Sequence, residues 1–234
     1  GYVTLRHCLS HTTGIEREGG KVGKLLDRKK YETLEEEVNA IASKEISNNP
    51  GKEFFYGSYG LNIAARICEV VGKKTFERLM QERITRPLRM RATSFANDNG
   101  NAPNPSGGAK STANDYMNIL TMILNKGLFE GKTILSTTAI DEMQKVQMAD
   151  LPIKYTPKVA EGFEYGLGEW IQEKNSTGMA TVVSSPGLFG TWPYVDNCRK
   201  YAAIIFVKTL LKKKKKDIAL QFKELVDEQV GECK

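Results

Sequence analysis

The chain of 234 residues is long enough for one large domain or two small ones that share a core, and its composition, 40% hydrophobic and 26% charged, is typical of a globular protein. The net charge of +6 comes mostly from the single lysine run 212–216, which excludes a generally basic surface. No apolar run approaches the roughly 18 residues of a transmembrane helix. No signal peptide is recognisable, because the first residues lead directly into sequence that is typical of a folded domain.

The lysine run 212–216 raises the question of a nucleic-acid or anionic membrane partner. No aromatic residues alternate with these lysines, as they do on surfaces that stack nucleic-acid bases. We therefore predict that the run is a solvated turn and that the chain has no nucleic-acid partner. Binding through this run would fall steeply with salt and would be lost on replacing the lysines with serine.

The cysteines and histidines do not predict a metal site. The cysteines are Cys8, Cys68, Cys198 and Cys233, and no two of them form a C-x-x-C pair. Cys68 falls inside an apolar helical pattern and is predicted to be buried. His7 and His11 are four residues apart, but no glutamate completes an H-E-x-x-H motif. Neither a metal nor a cofactor is predicted.

Residues 3–49 predict two helices separated by a polar loop. Leu5 and Leu9 fall on one face of a helical turn that ends before Gly14. Residues 19–30 are basic and contain glycine, as is typical of a surface loop. Thr33 and Glu36 have the spacing of a capping box, which predicts the start of the second helix.

The stretch from Pro50 to Gly72 predicts a turn, a short aromatic strand and a buried helix. The residues predicted to face the core from this helix are Leu61, Ala64, Ile67 and Val71. Tyr56 and Ser58 come directly before the helix. A packed helix could therefore hold two hydroxyl groups so that they point at one place, as in an active site.

Three further helices are predicted before the period of the pattern changes. Thr75 is expected to cap the first of them, and Ser111 the second, which stops at Gly127. A third helix follows Ser136, and residues 97–106 are predicted to form an exposed loop.

From Gly166 onwards the hydrophobic pattern predicts strands. The predicted strands are 165–171, 180–183, 189–195 and 201–207, and their close spacing favours antiparallel hairpins. A final amphipathic helix, 217–230, is expected to bury Ile218, Leu220, Phe222, Leu225 and Val226. The chain is thus divided into a mainly helical part, residues 1–160, and a part with antiparallel strands and the C-terminal helix, residues 161–234.

Several blocks of sequence, taken together, carry a family resemblance. They are the block from Thr4 to Gly14, Pro50-Gly51 followed by Phe55-Tyr56-Gly57-Ser58, Gly72-Lys73-Lys74-Thr75-Phe76, and the block from Gly107 to Asp115. In this order they resemble the penicillin-recognising serine hydrolases, which comprise the serine β-lactamases, DD-peptidases and related esterases. The resemblance implies an α+β fold of the β-lactamase/DD-peptidase type, an antiparallel sheet flanked by helices plus a helical subdomain.

The resemblance also implies roles for individual residues. Tyr56 matches the catalytic tyrosine of the family's second motif and would be the general acid/base. Ser58 replaces the more frequent asparagine and would bond the catalytic lysine or the substrate. The third motif falls on Ser185-Pro186-Gly187, where Gly187 keeps room for ligand and the amide of Leu188 would be an oxyanion donor. His11 would support the loop near the site.

The sequence departs from the family pattern at three points. Ser185 stands where the family has lysine, histidine or tryptophan, which makes antibiotic hydrolysis doubtful. Pro186 would delete an amide donor from a strand. No serine is followed by lysine three residues later, so the Ser-x-x-Lys nucleophile motif is absent from these residues. The family places that motif, its helix and the N-terminal strands before the His11 block. The resemblance therefore implies that the sequence is truncated, that the nucleophile belongs to another chain, or that catalysis has been lost.

The main hypothesis is a serine hydrolase that forms an acyl-enzyme on an ester, an amide or a D-amino-acid peptide, with its nucleophile outside this chain. The alternative is a non-catalytic relative that binds peptides or cell-wall fragments in the old cleft. A small-molecule or peptide partner follows from either hypothesis. An exposed sheet edge would favour self-association, and the resemblance implies a periplasmic or extracellular location in a bacterium.

Overall fold

The computed structural model describes residues 2–15, 31–96, 103–210 and 213–233, without the side chains of 213–215. The loop predicted at 19–30 and the first part of the loop predicted at 97–106 lie outside these residues. The α-helices are α1 Leu5–Leu9, α2 Leu34–Ala42, α3 Tyr59–Gly72, α4 Phe76–Met80, α5 Ala113–Leu124, α6 Thr137–Met143 and α7 Lys213–Val230. The strands are β1 Phe54–Phe55, β2 Leu128–Phe129, β3 Lys132–Thr133, β4 Ile153–Tyr155, β5 Glu164–Tyr165, β6 Trp170–Lys174, β7 Ala180–Ser184, β8 Trp192–Asp196 and β9 Tyr201–Ile205.

The chain forms two compact units. The first comprises Gly1–Pro87, Arg91–Ser111 and Asp150–Tyr155, and the second comprises Leu88–Met90, Thr112–Ala149 and Thr156–Lys234. Helices α1 to α4 with β1 and β4 belong to the first unit. Helices α5 to α7 and the remaining strands belong to the second. The division at residue 160, which was based on secondary-structure content, stays a prediction.

Side-chain caps start most of the helices, as the sequence predicts. Thr33 accepts a hydrogen bond from the Glu36 amide, and Thr75 and Ser136 cap α4 and α6 in the same way. The carboxylate of Glu36 bonds the amide of Glu32 rather than that of Thr33, so only half of the predicted capping box forms. The prediction of Ser111 as a cap was wrong, because the adjacent Thr112 accepts the hydrogen bond from Asp115 and starts α5.

Helix α3 is fixed in the first unit by two buried contacts. Gly60 lies against α1 so closely that an added Cβ would be 2.3 Å from the carbonyl oxygen of Cys8. The side chain of Asn62 is fully buried and donates to the carboxylate of Glu37 at 2.8 Å, which joins α3 to α2. These contacts hold the start of the helix, and with it the preceding turn that contains Ser58.

Replacing Gly60 with alanine should destabilise the chain by about 1–3 kcal/mol, because the new methyl group meets backbone atoms that cannot move independently. The free energy of unfolding in urea measures the change. Gly72→Ala is the matched control in the same helix, since its Cβ would meet only the flexible side chain of Leu79. Equal stability of Gly60→Ala and the native chain would show that α1 and α3 are not tightly packed.

The face that α3 buries differs from the predicted one. Ala64 is buried as expected, but Ile67 and Val71 are exposed and Cys68 is an exposed free cysteine. The buried positions are Gly60, Asn62, Ala64 and Ala65. Small residues on α3 let α1 and α2 approach α3 closely. The packed face of α3 is therefore not the one with the largest apolar side chains.

The second unit contains a five-stranded antiparallel sheet in the order β5-β6-β7-β8-β9. The antiparallel hairpins and the strands near 180–183, 189–195 and 201–207 are confirmed. The prediction of one strand at 165–171 was wrong, because residues 166–169 form the turn between β5 and β6. One face packs against α5, where Leu120 contacts Ile171, Val183 and Val195. The other face carries Trp192 and Tyr194 and packs against Ala219 of α7. Strand β9 is an edge of the sheet among the described residues, and the self-association predicted from an exposed edge stays a prediction.

Helix α7 buries a different face from the one that its apolar pattern predicts. Ile218, Phe222 and Leu225 are exposed, whereas Ala219 and Lys223 are buried. The ammonium of Lys223 contacts the carboxylates of Asp227 at 2.7 Å, Glu173 at 3.1 Å and Asp196 at 3.3 Å. An inward lysine is stable here because it neutralises Asp196, which is fully buried.

Two further features of the C-terminal region were not predicted. Residues 213–216 of the lysine run begin α7, so the prediction of a turn was wrong there; Lys212 lies outside the described residues. A disulfide joins Cys198, in the turn between β8 and β9, to Cys233, which follows α7. Within the described residues, every helix is too short or too polar to cross a membrane.

Candidate functional site

The turn that carries Tyr56 and Ser58 is built around His11. The carbonyl of His11 accepts a hydrogen bond from the amide of Phe55 at 2.9 Å, and its Nδ1 accepts one from the amide of Gly57 at 3.4 Å. The imidazole also lies against the ring of Tyr56, with the ring centroids 4.5 Å apart. His11 therefore bonds the backbone on both sides of Tyr56, which confirms that it supports this loop.

Burial keeps His11 neutral. Only 4% of the residue is exposed, and this desolvation lowers the pKa of the imidazole to about 3. Because Nδ1 accepts the bond from Gly57, the proton of the neutral ring lies on Nε2. His11 is thus an uncharged hydrogen-bonding support and is unsuited to proton transfer near neutral pH.

Ser58 occupies the N-cap position of α3 without capping it through its side chain. Its carbonyl accepts the amide of Asn62 at 3.0 Å, so the backbone is fixed while the hydroxyl keeps its hydrogen-bonding capacity. A cavity of about 10 Å³ adjoins Ser58 and is lined also by His11, Thr13 and Tyr59. This volume admits about one water molecule.

On the other side of the turn, the amide of Tyr56 donates to the carbonyl of Tyr155 at 3.1 Å. Tyr155 ends β4, which pairs in parallel with β1. Strand, helix and histidine therefore all hold the turn that carries Tyr56 and Ser58 in the first unit. That the two hydroxyls serve one site stays a prediction.

Ser185 and Pro186 directly follow β7 in the second unit. Strand β7 ends at Ser184, so Pro186 lies in the connecting loop and removes no hydrogen bond from the sheet. The expectation that this proline would delete a strand donor was therefore wrong. Ser185 is exposed at the end of the strand, where its hydroxyl can reach a ligand.

Gly187 and Leu188 form the turn between β7 and β8. The amide of Gly187 donates to the carbonyl of Thr191 at 2.8 Å. A Cβ at Gly187 would meet only Thr191, at 3.7 Å or more, so internal packing does not require glycine there. The amide of Leu188 donates no hydrogen bond to any of the described residues, as an oxyanion donor requires.

The second unit also holds two titratable residues that the sequence did not indicate. Tyr116, from α5, packs against the cluster that contains Ile171 and Val183, and burial, followed by the negative charge of Glu169, raises the pKa of its phenol. Glu169 is itself only 6% exposed, and burial raises the pKa of its carboxyl to about 7. In the sequence, the one sign of this buried carboxyl is that Glu169 directly precedes Trp170, the aromatic residue that begins β6.

The predicted site residues thus fall into two groups. Tyr56 and Ser58 belong to the first unit, and Ser185, Gly187 and Leu188 belong to the second. In the residues that the structure covers, three or more histidine, cysteine, aspartate or glutamate side chains never converge in an arrangement that could hold a metal ion.

Comparisons with known proteins identify the family. Residues 1–226 match the Beta-lactamase family profile. A candidate β-lactamase from Bacteroides dorei DSM 17855 has the same fold, with a TM-score of 0.81 and 31% identity over 96% of this chain and 72% of that one. The hydrolase EstCE1, described as having promiscuous acyltransferase activity, superimposes with a TM-score of 0.70 at 17% identity, over 96% of this chain and 71% of that one.

A relative in Staphylococcus aureus (strain MW2), Protein flp, is 25% identical over 97 residues, which are 42% of this chain and 19% of that protein. The match thus spans about a fifth of the relative's length. The likeness to the Bacteroides protein, by contrast, extends over nearly the whole chain. The chain belongs to the β-lactamase family, with the fold of the serine β-lactamases and penicillin-binding proteins.

Proposed function

We propose that this chain forms part of a serine hydrolase that transfers an acyl group from an ester, an amide or a D-amino-acid peptide to a serine and then to water. The observation that carries the proposal is the turn held by His11, which fixes Tyr56 and Ser58 at the start of α3. Family membership supports it, as does the acyltransferase activity attributed to EstCE1. The nucleophile would be supplied by a Ser-x-x-Lys motif outside these residues.

In the proposed mechanism Tyr56 removes the proton of the nucleophilic serine, because a serine hydroxyl is a poor nucleophile at neutral pH. A nearby lysine ammonium would favour the tyrosinate. Ser58 would bond that lysine or the substrate. The amide of Leu188 would stabilise the negative oxygen of the tetrahedral intermediate. Tyr56 then donates this proton to the leaving group as it departs. Water finally hydrolyses the acyl-serine.

The test is acylation of the reading frame extended upstream to include Ser-x-x-Lys. Mass spectrometry after exposure to a fluorophosphonate should show one adduct on the serine of that motif. Tyr56→Phe should slow adduct formation by about 100-fold or more, because it removes general-base catalysis but keeps the ring on His11. The melting temperature should be nearly unchanged.

Tyr155→Phe is the matched control, since Tyr155 lies beside the turn and contacts it through its backbone and ring. It should acylate at the native rate. If Tyr56→Phe also acylated at the native rate, Tyr56 would have no part in the mechanism.

The second candidate is a non-catalytic relative that binds peptides or cell-wall fragments. The substitution of Ser185 at the third motif and the absence of Ser-x-x-Lys from these residues favour it. An extended reading frame without a Ser-x-x-Lys motif, combined with saturable binding of a cell-wall peptide, would support this candidate over the hydrolase.

A further inference from the structure

The C-terminal part of α3 carries an apolar stripe that faces solvent. Ile67, Val70 and Val71 recur at the three- and four-residue spacing of one helical face. Their exposed fractions are 39%, 60% and 78%, and every buried position of α3 precedes Ile67. Single exposed apolar residues are common on protein surfaces, but three that adjoin on one face indicate a surface that has a partner.

Positive charge borders this stripe. Lys73 and Lys74 directly follow α3, Arg78 lies in α4, and all three side chains are exposed. The start of α4 is fixed to the last turns of α3, because the amide of Phe76 donates to the carboxylate of Glu69 at 2.7 Å. The apolar and the cationic residues together are named the α3-end patch, which comprises Ile67, Val70, Val71, Lys73, Lys74 and Arg78.

The carboxylates beside the α3-end patch do not cancel its positive charge. Glu82 pairs with Lys74 at 2.6 Å and with Arg78 at 2.5 Å, so one carboxylate compensates two cations. Glu69 is already paired within α3. Lys73 forms no ion pair with any residue that the structure describes. Lysines after a helix do stabilise its C-terminus, but this effect gives no reason for an adjoining apolar stripe to be exposed.

The combination of charge and apolar surface favours one kind of partner. Apolar side chains bordered by cations match the boundary of an anionic membrane, where negatively charged headgroups cover the acyl chains. A second copy of the chain fits less well, because a symmetric contact sets the cations of one patch against the same cations of the other. A nucleic acid fits less well too, since bases stack on aromatic side chains and the stripe is aliphatic.

We propose that the α3-end patch binds the surface of an anionic phospholipid membrane. The aliphatic side chains enter the headgroup region, and the ammonium and guanidinium groups contact lipid phosphates. Binding is peripheral and reversible, because three short side chains bury far less apolar area than a membrane-spanning helix. The patch includes none of the predicted site residues, so this inference does not depend on the proposed hydrolase activity.

The first test is sedimentation of the 234-residue chain with lipid vesicles. The chain should bind vesicles of equal parts phosphatidylglycerol and phosphatidylcholine but not vesicles of phosphatidylcholine alone, and added salt should weaken binding. Lys73→Gln should lower the affinity about fivefold, the contribution of one cation near an anionic surface. Lys132→Gln removes an exposed cation from β3 and is the matched control, with native affinity expected.

The second substitution tests the apolar contact. Val71→Ser should lower the affinity about fivefold or more, because the valine side chain leaves water when it enters the headgroup region. The melting temperature should change little, since this side chain is mostly exposed in the free chain. Ile153→Ser is the matched control, because Ile153 is an exposed apolar residue of β4 in the same unit. It should bind the vesicles as the native chain does.

Cys68 adjoins Ile67 on the exposed part of α3 and provides a site for a fluorescent probe. Cys8 is buried, and burial raises the pKa of its thiol to about 11, so a thiol-reactive dye should label Cys68 selectively near pH 7. The other two cysteines are joined in the disulfide. Emission of a polarity-sensitive dye at Cys68 should shift to shorter wavelength on the anionic vesicles, because the dye enters the headgroup region.

Three results would overturn the inference. The first is that the chain does not bind the anionic vesicles. The second is native affinity in both Lys73→Gln and Val71→Ser, with binding lost instead when the lysines of the run 212–216 are replaced with serine. The third is unchanged emission of the dye on a chain that has bound, since the membrane contact would then lie away from the α3-end patch.

Discussion

Replacing Lys223 with alanine should lower the free energy of unfolding by about 3 kcal/mol, the largest effect expected of any single substitution outside the apolar core. The side chain is 3% exposed, and its ammonium lies between Asp196, Asp227 and Glu173. Removing the ammonium leaves these carboxylates with less compensating positive charge. Arg199, which contacts Asp196 at 3.2 Å, remains and limits the loss to the lower end of the range for broken buried ion pairs.

Urea denaturation measures this change. Two further variants test whether it is due to the buried charge. Lys223→Met keeps most of the aliphatic stem and should be nearly as unstable as the alanine variant, because the charge is what the site requires. Lys145→Ala breaks an exposed pair with Glu142 and should alter stability by less than about 1 kcal/mol. A methionine variant as stable as the native chain would show that packing, and not neutralisation of Asp196, explains the burial of Lys223.

Glu169→Gln should change how stability depends on pH. Burial raises the pKa of this carboxyl from its ordinary 4.5 to about 7. Below pH 4.5 the group is protonated in both the folded and the unfolded chain, so it does not favour unfolding. As pH rises from 4.5 to about 7, only the unfolded chain ionises, and stability falls by about 3 kcal/mol in total.

The glutamine variant should lack this loss. Its free energy of unfolding should therefore exceed that of the native chain near pH 8 and approach it near pH 4.5. Urea denaturation across this range measures both proteins. Glu228→Gln, which removes an exposed carboxylate, is the matched control and should follow the native curve. A native pH profile in Glu169→Gln would mean that Glu169 is ionised at little cost in the folded chain.

Elements that depend on local interactions could be predicted from the sequence. Thr33, Thr75 and Ser136 start their helices because a cap needs only the three residues that follow it. The strands from β6 to β9 follow from alternation and turns, which are also local. The choice between Ser111 and Thr112 failed because adjacent hydroxyl residues have nearly equal capping propensity.

The buried faces could not be read from hydrophobicity alone. In α7 the pattern selects Ile218, Phe222 and Leu225, whereas the acidic Asp196 on the sheet selects Lys223. That choice depends on a residue 27 positions away, which no helical period contains. The same limit applies to Cys198 and Cys233, whose pairing depends on where α7 ends in space.

For the candidate site, the sequence supplied the two segments but not their supports. Tyr56, Ser58 and Gly187 were predicted as site residues because their motifs are contiguous, and the support that His11 gives to the loop was predicted from its own block. The burial of Glu169 could not be predicted, because this residue lies in no motif and its burial depends on tertiary packing.

The disulfide between Cys198 and Cys233 closes a loop of the chain with a sequence separation of 35, and this loop contains β9 and α7. A protease that cuts once inside the loop therefore releases no fragment while the bridge is intact. The severed strand and helix stay covalently attached at high effective concentration and can reassemble in place. Where proteases are abundant, a single cut in the connection between β9 and α7 would therefore break one peptide bond without separating the two elements.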